Sequence, residues 1–513
     1  MKRHTLIIAL IMLAVLFCGC AEQNAAYEVT VESICAELNE KRAAAVNAPL
    51  EHTVKDFGTA DDSFPKDFTD EEVRALVTSR SYKSELTLEE ALEDTDTLMR
   101  VFKTSYAGYC YFGGDESFSA AHERINCRLN EAYADGKEKQ PSTMLQDILL
   151  EELFFIEDSH LSIGRKNTAF KEKYIFFEAS EMEFHRDDCG LYTEIKNKKF
   201  YLDERDEQYI RLTTGADGMP VYGLFALTDD ETSLPNEFSL TSRRGKKTSV
   251  PVEWSIADAG TPDKRVHNYS EIDGIPVTSL GRMSVSSEDI HLTNDFINRA
   301  AELRNEKVFI LDLRSNVGGL THVNDFFMYN LTGSRCCYKC QMVKRYSPLN
   351  LWHNKVNNDY LGGTESFSAF EQLDFFKENR ELVRSWYSNI GSFLQRGKTS
   401  IRDVSAVMTP YENTIIVLID KNTVSAGEYL LYELSTVNNV IIMGTNSAGC
   451  LITGDVNILS GVYLPNSGMT LYYGQTLMLS DGAEGYDSNG FMPDVISRRD
   501  ALADAVALAK TIK

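Results

Sequence analysis

The 513-residue chain is short of positive charge. Lys and Arg number 52 against 76 Asp and Glu, a formal net charge of −24. A surface this acidic excludes the basic footprint that nucleic acid requires and offers no polybasic patch to anionic lipid. It keeps the protein soluble and says little of any substrate. Long apolar runs are missing after the N-terminus, where no later run is long enough to span a bilayer. Metal-ligand spacing is scarce too. Cys336-Cys337-x-x-Cys340 is half a zinc site, and no second Cys/His pair at ligand spacing follows, so a disulfide or buried free thiols are the expectation there. Internal repeats and low-complexity tracts are absent. What is present is an ordinary globular composition, 43% hydrophobic and 25% charged, over a length sufficient for two or three domains.

The N-terminus reads as an export signal. Lys2 and Arg3 precede the apolar run Leu6 to Phe17, and Leu16-Phe17-Cys18-Gly19-Cys20 resembles a bacterial lipobox. The small Gly19 suits cleavage before Cys20, which would carry the lipid; Cys18 is the second choice. The expectation is an exported protein, tethered to the cell membrane on its extracytoplasmic face and otherwise soluble. Eight further cysteines, Cys35, Cys110, Cys127, Cys189, Cys336, Cys337, Cys340 and Cys450, could pair in an oxidising compartment, in no connectivity that spacing reveals.

After the signal at 1–19, residues 20–65 read as a tether and entry segment, and 66–165 as a helical N-terminal domain. Thr69 with Glu72 and Thr87 with Glu90 are capping-box pairs, and Leu88 to Phe102 and Leu145 to Ile156 carry apolar residues at helical spacing. Residues 166–265 are a small β-rich module, with short runs at Val221 to Leu227, Phe238 to Thr241 and Ser249 to Trp254. From about 270 to 513 apolar strands alternate with helices. That pattern implies an α/β domain with a largely buried sheet, interrupted at about 335–405 by a helical insertion containing Trp352, Trp386 and Phe393. The fold class is multidomain α+β.

Two stretches carry chemistry. The buried run Thr414 to Ile419 stops at Asp420, and Ser425 opens an amphipathic segment. A serine on a strand-to-helix turn is either an ordinary N-cap or an exposed nucleophile. The second stretch, Val308 to Gly319, ends a strand in Asp312-Leu-Arg314-Ser-Asn-Val-Gly318-Gly319, where two glycines let backbone amides approach a ligand. Alone it could be a tight strand exit, with Asp312 and Arg314 a structural ion pair.

In order, Asp312 to Gly319, Thr-Val-Ser425-Ala-Gly-Glu, Gly444-x-x-Ser-x-Gly449 and Asn489-Gly-Phe-Met-Pro-Asp494 resemble the tail-specific (C-terminal-processing) serine peptidases over roughly 275–513. The resemblance implies a ClpP/crotonase-like catalytic domain, a peptide or protein substrate, and no metal or organic cofactor. The Ser–Lys branch of this family places its lysine directly after the last glycine of the third motif, where this chain has Cys450. The other branch, resembling the tricorn core protease, takes a Ser-His pair from an earlier segment, which Ser159-His160 fits. In that branch His160 is the base, with His322 its rival, and Ser159 orients the imidazole. An acid three residues before Gly490 gives Asp487, and a shifted alignment gives Glu484. The oxyanion hole would be the amide of Gly318 or Gly319 with that of Ala426. Many relatives carry a PDZ domain where 166–265 lies, but no Gly-Leu-Gly-Phe-type loop stands there, so a degenerate PDZ-like or other β module is expected. Rival readings are a non-catalytic apolar-ligand or peptide-binding protein on the same scaffold and a serine esterase. Nothing in the sequence specifies an oligomeric state.

Overall fold

In the computed structural model, which describes residues 29–58, 67–134, 136–167, 174–179, 182–215, 217–260, 267–360, 370–387, 399–457, 461–481 and 486–512, both capping boxes start helices. Thr69 N–H donates to Glu72 at 2.7 Å and Glu72 N–H to Thr69 Oγ1 at 3.3 Å. Thr87 and Glu90 repeat the exchange at 3.0 and 3.3 Å. These reciprocal bonds satisfy amides that a helix N-terminus otherwise leaves orphaned. The expected signal, Cys20, Phe393 and Glu484 lie outside the described residues.

An entry helix α1 (Val31–Asn47) precedes the helical domain, whose main helices are α2 (Leu88–Ser105), α3 (Gly114–Tyr133) and α4 (Ser142–Glu152). Leu98, Phe102, Ile125, Leu129 and Leu149 close its core. The centre of the molecule is a ten-stranded sheet. Its strands in chain order are β1 (Ile175–Ala179), β2 (Ile210–Thr214), β3 (Pro220–Thr228), β4 (Trp254–Ile256), β5 (Asn268–Ile272), β6 (Ile275–Ser279), β7 (Val308–Asp312), β8 (Thr414–Ile419), β9 (Val440–Gly444) and β10 (Val495–Ile496). In space they run β4-β1-β3-β2-β10-β9-β8-β7-β6-β5. From β2 to β6 in that order neighbours are parallel; both flanks are antiparallel.

Every residue of β7, β8 and β9 is buried, as unbroken apolar runs in a two-sided parallel sheet require. Alternate residues serve opposite faces. Ile310, Ile416, Ile441 and Met443 pack under α1 and α8 (Ala501–Lys510). Phe309, Leu311, Ile415, Val417 and Ile442 pack under α5 (Ile290–Leu303), α6 (His322–Thr332) and α7 (Ala426–Leu434).

Two segments differ from their sequence reading in organisation. The 166–265 region is β-rich, with no α-helix among its described residues, but it is not a separate body. Its strands β1 to β4 extend the ten-stranded sheet, and five others form an antiparallel sheet alongside. The 335–405 insertion is helical only in its middle. Its ends, Cys340–Arg345 and Thr399–Val404, pair antiparallel and join Thr476–Ser480 and Thr453–Gly454 in a four-stranded sheet. Their cross-strand partners lie up to 140 residues away, beyond any local pattern. Cys35, Cys127, Cys189, Cys336, Cys337 and Cys340 are free thiols, and burial pushes Cys336 up to about 11 and Cys340 to about 12. Among the described residues no helix is long and apolar enough to cross a membrane.

Candidate active site

Parallel pairing of β7 with β8 sets Asp312 opposite Leu418, so the two strand exits lie side by side at the carboxyl edge, where open α/β sheets bind ligands. Arg314 forks onto Asp312 at 2.9 and 2.7 Å and donates to Ala259 O, so this pair is structural. Buried Asp420 accepts Ser315 N–H at 2.8 Å, Thr423 Oγ1 donates to Leu313 O at 3.0 Å, and Val424 N–H to Asn316 O at 2.8 Å. These bonds hold the glycine turn against the serine turn.

Gly318 has φ +74°, and a Cβ there would come within 2.7 Å of Val424 O and 2.9 Å of Ala426 N. At Gly319, φ +135°, a Cβ would meet Met283 O at 2.1 Å. Glycine is required at both by conformation and by contact. Asn316 Oδ1 takes the Gly318 N–H at 2.8 Å. The N–H groups of Gly319 and Ala426 make no hydrogen bond among the described residues.

Ser425 sits at φ +53°, ψ −115°, a conformation L-residues rarely hold, immediately before α7. Its Oγ lies 3.2 Å from His160 Nε2, across 265 residues of sequence. The segment that delivers His160 is fixed by two buried carboxylates. Asp158 accepts His160 N–H at 2.8 Å, Tyr106 OH at 2.7 Å and Thr453 Oγ1 at 2.9 Å. Asp487 accepts the backbone N–H of Ser159 at 2.9 Å, Leu451 at 3.1 Å and Ile452 at 3.3 Å. Burial, and then the neighbouring charge of Asp158, push the Asp487 carboxyl well above the usual carboxylate range. Ser159 Oγ donates to Gly449 O at 2.7 Å. Asp487 thus engages Ser159 through the main chain, and the Ser159 hydroxyl ties the histidine segment to the Gly444–Gly449 loop.

His322 opens α6, three residues past Gly319, and its charged neighbours are Asp325, Arg335 and Asp455. Cys450 has a buried thiol, and its N–H donates to Glu428 at 3.0 Å. Glu428 is the residue that the sequence reading left without a role. Fully buried, it accepts the N–H of Ser425 at 2.8 Å and of Gly449 at 2.8 Å, and the Ser447 hydroxyl, while burial pushes its carboxyl up. Its signal was the Ser-x-x-Glu spacing of a capping box at 425–428. Tyr106 was missed as a partner, and Asp158, part of the Asp158-Ser159-His160 run that resembles a family element, had been given no role. Among the described residues no cluster could hold a metal ion.

Residues 279–497 match the family model described as Peptidase family S41. No curated protein matches the chain. Among solved structures, mature CPAF is similar at 12% identity and a TM-score of 0.40, over 83% of this chain and 96% of that one. A lipoprotein from Streptococcus agalactiae gives 11%, 0.36, 82% and 97% in the same order. The photosystem II D1 C-terminal processing protease gives 14%, 0.31, 79% and 92%. Superpositions this loose carry no weight of their own; the assignment rests on the family model, whose span takes in Ser425 and both strand exits. The family model thus marks residues 279–497 as an S41-type peptidase domain, and the protein is a serine-type peptidase.

Proposed function

We propose that this peptidase works through a Ser425–His160 centre, in the manner of the tricorn-like branch, and that it is exported and held at the membrane by lipid on Cys20. The observation that carries the first part is the 3.2 Å contact between Ser425 Oγ and His160 Nε2. Ser425 Oγ attacks the scissile carbonyl carbon as His160 Nε2 takes its proton, forming a tetrahedral oxyanion. The uncommitted N–H groups of Gly319 and Ala426 receive that charge, aided by the positive end of α7. His160 then gives the proton to the departing amine, leaving an acyl ester on Ser425. Water, deprotonated by the same imidazole, hydrolyses the ester and restores the serine.

Asp158, Asp487 and Ser159 position the imidazole in this scheme. Glu428 holds the Ser425 amide. The Asn316 bond to Gly318 N–H leaves Gly319 as the second donor of the oxyanion hole.

A fluorophosphonate probe tests the centre. The wild type is expected to label at one site, Ser425→Ala not at all, and His160→Ala at a rate lower by about a hundredfold or more. A Ser425→Ala variant that labels equally removes the hydrolase centre; full peptidase activity in His160→Ala removes the assigned base and turns the test to His322. For the anchor, Cys20→Ser is expected to move the protein from the membrane to the soluble fraction of the cell. Unchanged partition would count against lipid on Cys20.

A further inference from the structure

Tyr429 stands one helical turn, about 6 Å along the axis, beyond Ser425 on α7. Its hydroxyl contacts Met478 Sδ and its ring lies 5.6 Å from that of Tyr338. Met478 belongs to the four-stranded sheet, where Met342 pairs with Met478, and Lys344 and Gly454 both pair with Thr476. By strand alternation Met342, Lys344, Thr476 and Met478 share the face turned to Tyr429. Val343 and Leu477 lie on the opposite face, in a separate core with Val54 and Ile452. A Cβ on Gly454 would come within 3.0 Å of Met478 Cε and 3.4 Å of Tyr429 Oη, so the chain is bare where the tyrosine rests. The next residue, Asp455, accepts Lys344 Nζ at 2.7 Å and Thr476 Oγ1 at 2.6 Å.

Thr476 and Met478 are buried at the floor of this face, and the other side chains around it are partly open to solvent. Asp455 keeps 52% of its side-chain exposure and Lys344 25%, and Met342, Tyr338 and Tyr429 are partly exposed. Yet enough protein surrounds the two tyrosines that desolvation dominates their ionisation, pushing both well up. That combination describes a recess. It lies beside the serine turn, because Tyr429, which lines it, stands one helical turn along α7 from Ser425.

The polarity of the recess follows from its charges. Burial lowers His322, so its imidazole brings no cation near neutral pH. Lys344 holds Asp455 ionised, down to about 2. A carboxylate has about four lone-pair sites, and two donors leave room for another. Asp187 in this chain already serves two cations, Lys199 at 2.9 Å and Arg243 at 3.2 Å. Of the Lys344–Asp455 pair, the carboxylate is the more exposed partner.

We propose that this recess is a substrate subsite for a lysine or arginine side chain, whose aliphatic stem lies along Met342 and Tyr429 and whose cation sits on Asp455. The proposal rests on the peptidase reading, and binding and turnover are tested separately. With the full chain, a positional-scanning library of fluorogenic peptides locates the responsive position. There, kcat/KM for lysine is expected to exceed that for norleucine by about ten- to a hundredfold. Asp455→Asn should shrink that ratio at least about tenfold, and the exchange Lys344→Asp with Asp455→Lys should turn the preference to glutamate. In parallel, Ser425→Ala, which binds without turnover, should bind the lysine peptide more tightly than the norleucine peptide by fluorescence anisotropy, and lose that difference with Asp455→Asn added. Absence of cleavage across the library, with selective binding retained, removes the peptidase reading and keeps the subsite. Cleavage or binding indifferent to charge at every position, or a lysine preference unmoved in a folded Asp455→Asn, overturns the subsite; if that variant fails to fold, the charge exchange decides.

Discussion

At the scale of residues, the site is a set of backbone amides held by buried acids. Asp158, Asp487 and Glu428 together accept ten backbone N–H or hydroxyl donors, from Tyr106, Ser159, His160, Ser425, Ser447, Gly449, Cys450, Leu451, Ile452 and Thr453. Burying a carboxylate this way is costly unless its oxygens are filled, which they are. We predict a pH signature from Asp487. Its folded-state pKa is raised, so its ionisation opposes folding above that pKa, and the penalty is relieved as pH falls toward the ordinary carboxylate range. Wild type should therefore gain stability relative to Asp487→Asn by about 1–3 kcal/mol between pH 8 and pH 5, read by denaturant melts; a pH-independent difference rejects this. Gly319→Ala should abolish probe labelling of Ser425 and lower the melting temperature, because its Cβ has no room beside Met283 O. Ser425 and the two glycines were legible as strand-exit chemistry. Glu428 was not, because a capping glutamate and a buried clamp have the same spacing and differ only in what packs over them.

At the scale of elements, α1 does more than enter the domain. Arg42, 10% exposed, pairs with Asp494 at 2.7 Å and donates to Val440 O, while Asn39 bonds Asn439. Asp494 is the last residue of the Gly-Phe-Met-Pro-Asp motif and also accepts Ile442 N–H at 2.8 Å. The entry helix is therefore clamped onto β9 and the loop before β10. Arg42→Ala should cost about 2–4 kcal/mol, since it strands a largely covered carboxylate, and Arg42→Lys should recover part of this; equal urea midpoints for all three proteins would contradict the clamp. Capped helices and unbroken apolar strands could be read locally. The edge strands of the insertion could not, because Cys340–Arg345 becomes a strand only when Thr476–Ser480 lies beside it.

At the scale of the whole molecule, the N-terminal part contributes to the site itself. Ser162–Ile163 pairs with Thr470–Tyr472, and this bridge carries Ser159 and His160 across to the serine turn. Strands β1 to β4 complete the sheet that β7, β8 and β9 centre. A chain beginning at residue 267 should lack both His160 and four strands of its main sheet. We predict that it neither labels with fluorophosphonate nor shows the near-ultraviolet dichroism of the full chain; a folded, labelling fragment would contradict this. Refolding of the full chain should be slow, since its defining contacts join distant segments.

The sequence by itself determined the family of the catalytic domain, the class of fold, the strand-exit turns and the serine. These depend on local rules: apolar runs bury, glycine alone tolerates crowded left-handed turns, and motifs keep their order. Only the tertiary structure decided which histidine faces that serine, that Asp487 bonds Ser159 through its main-chain amide, and that Lys344 and Asp455 form an ion pair. Those relations join residues up to several hundred positions apart, and sheet register with helix packing, which no local pattern encodes, sets them.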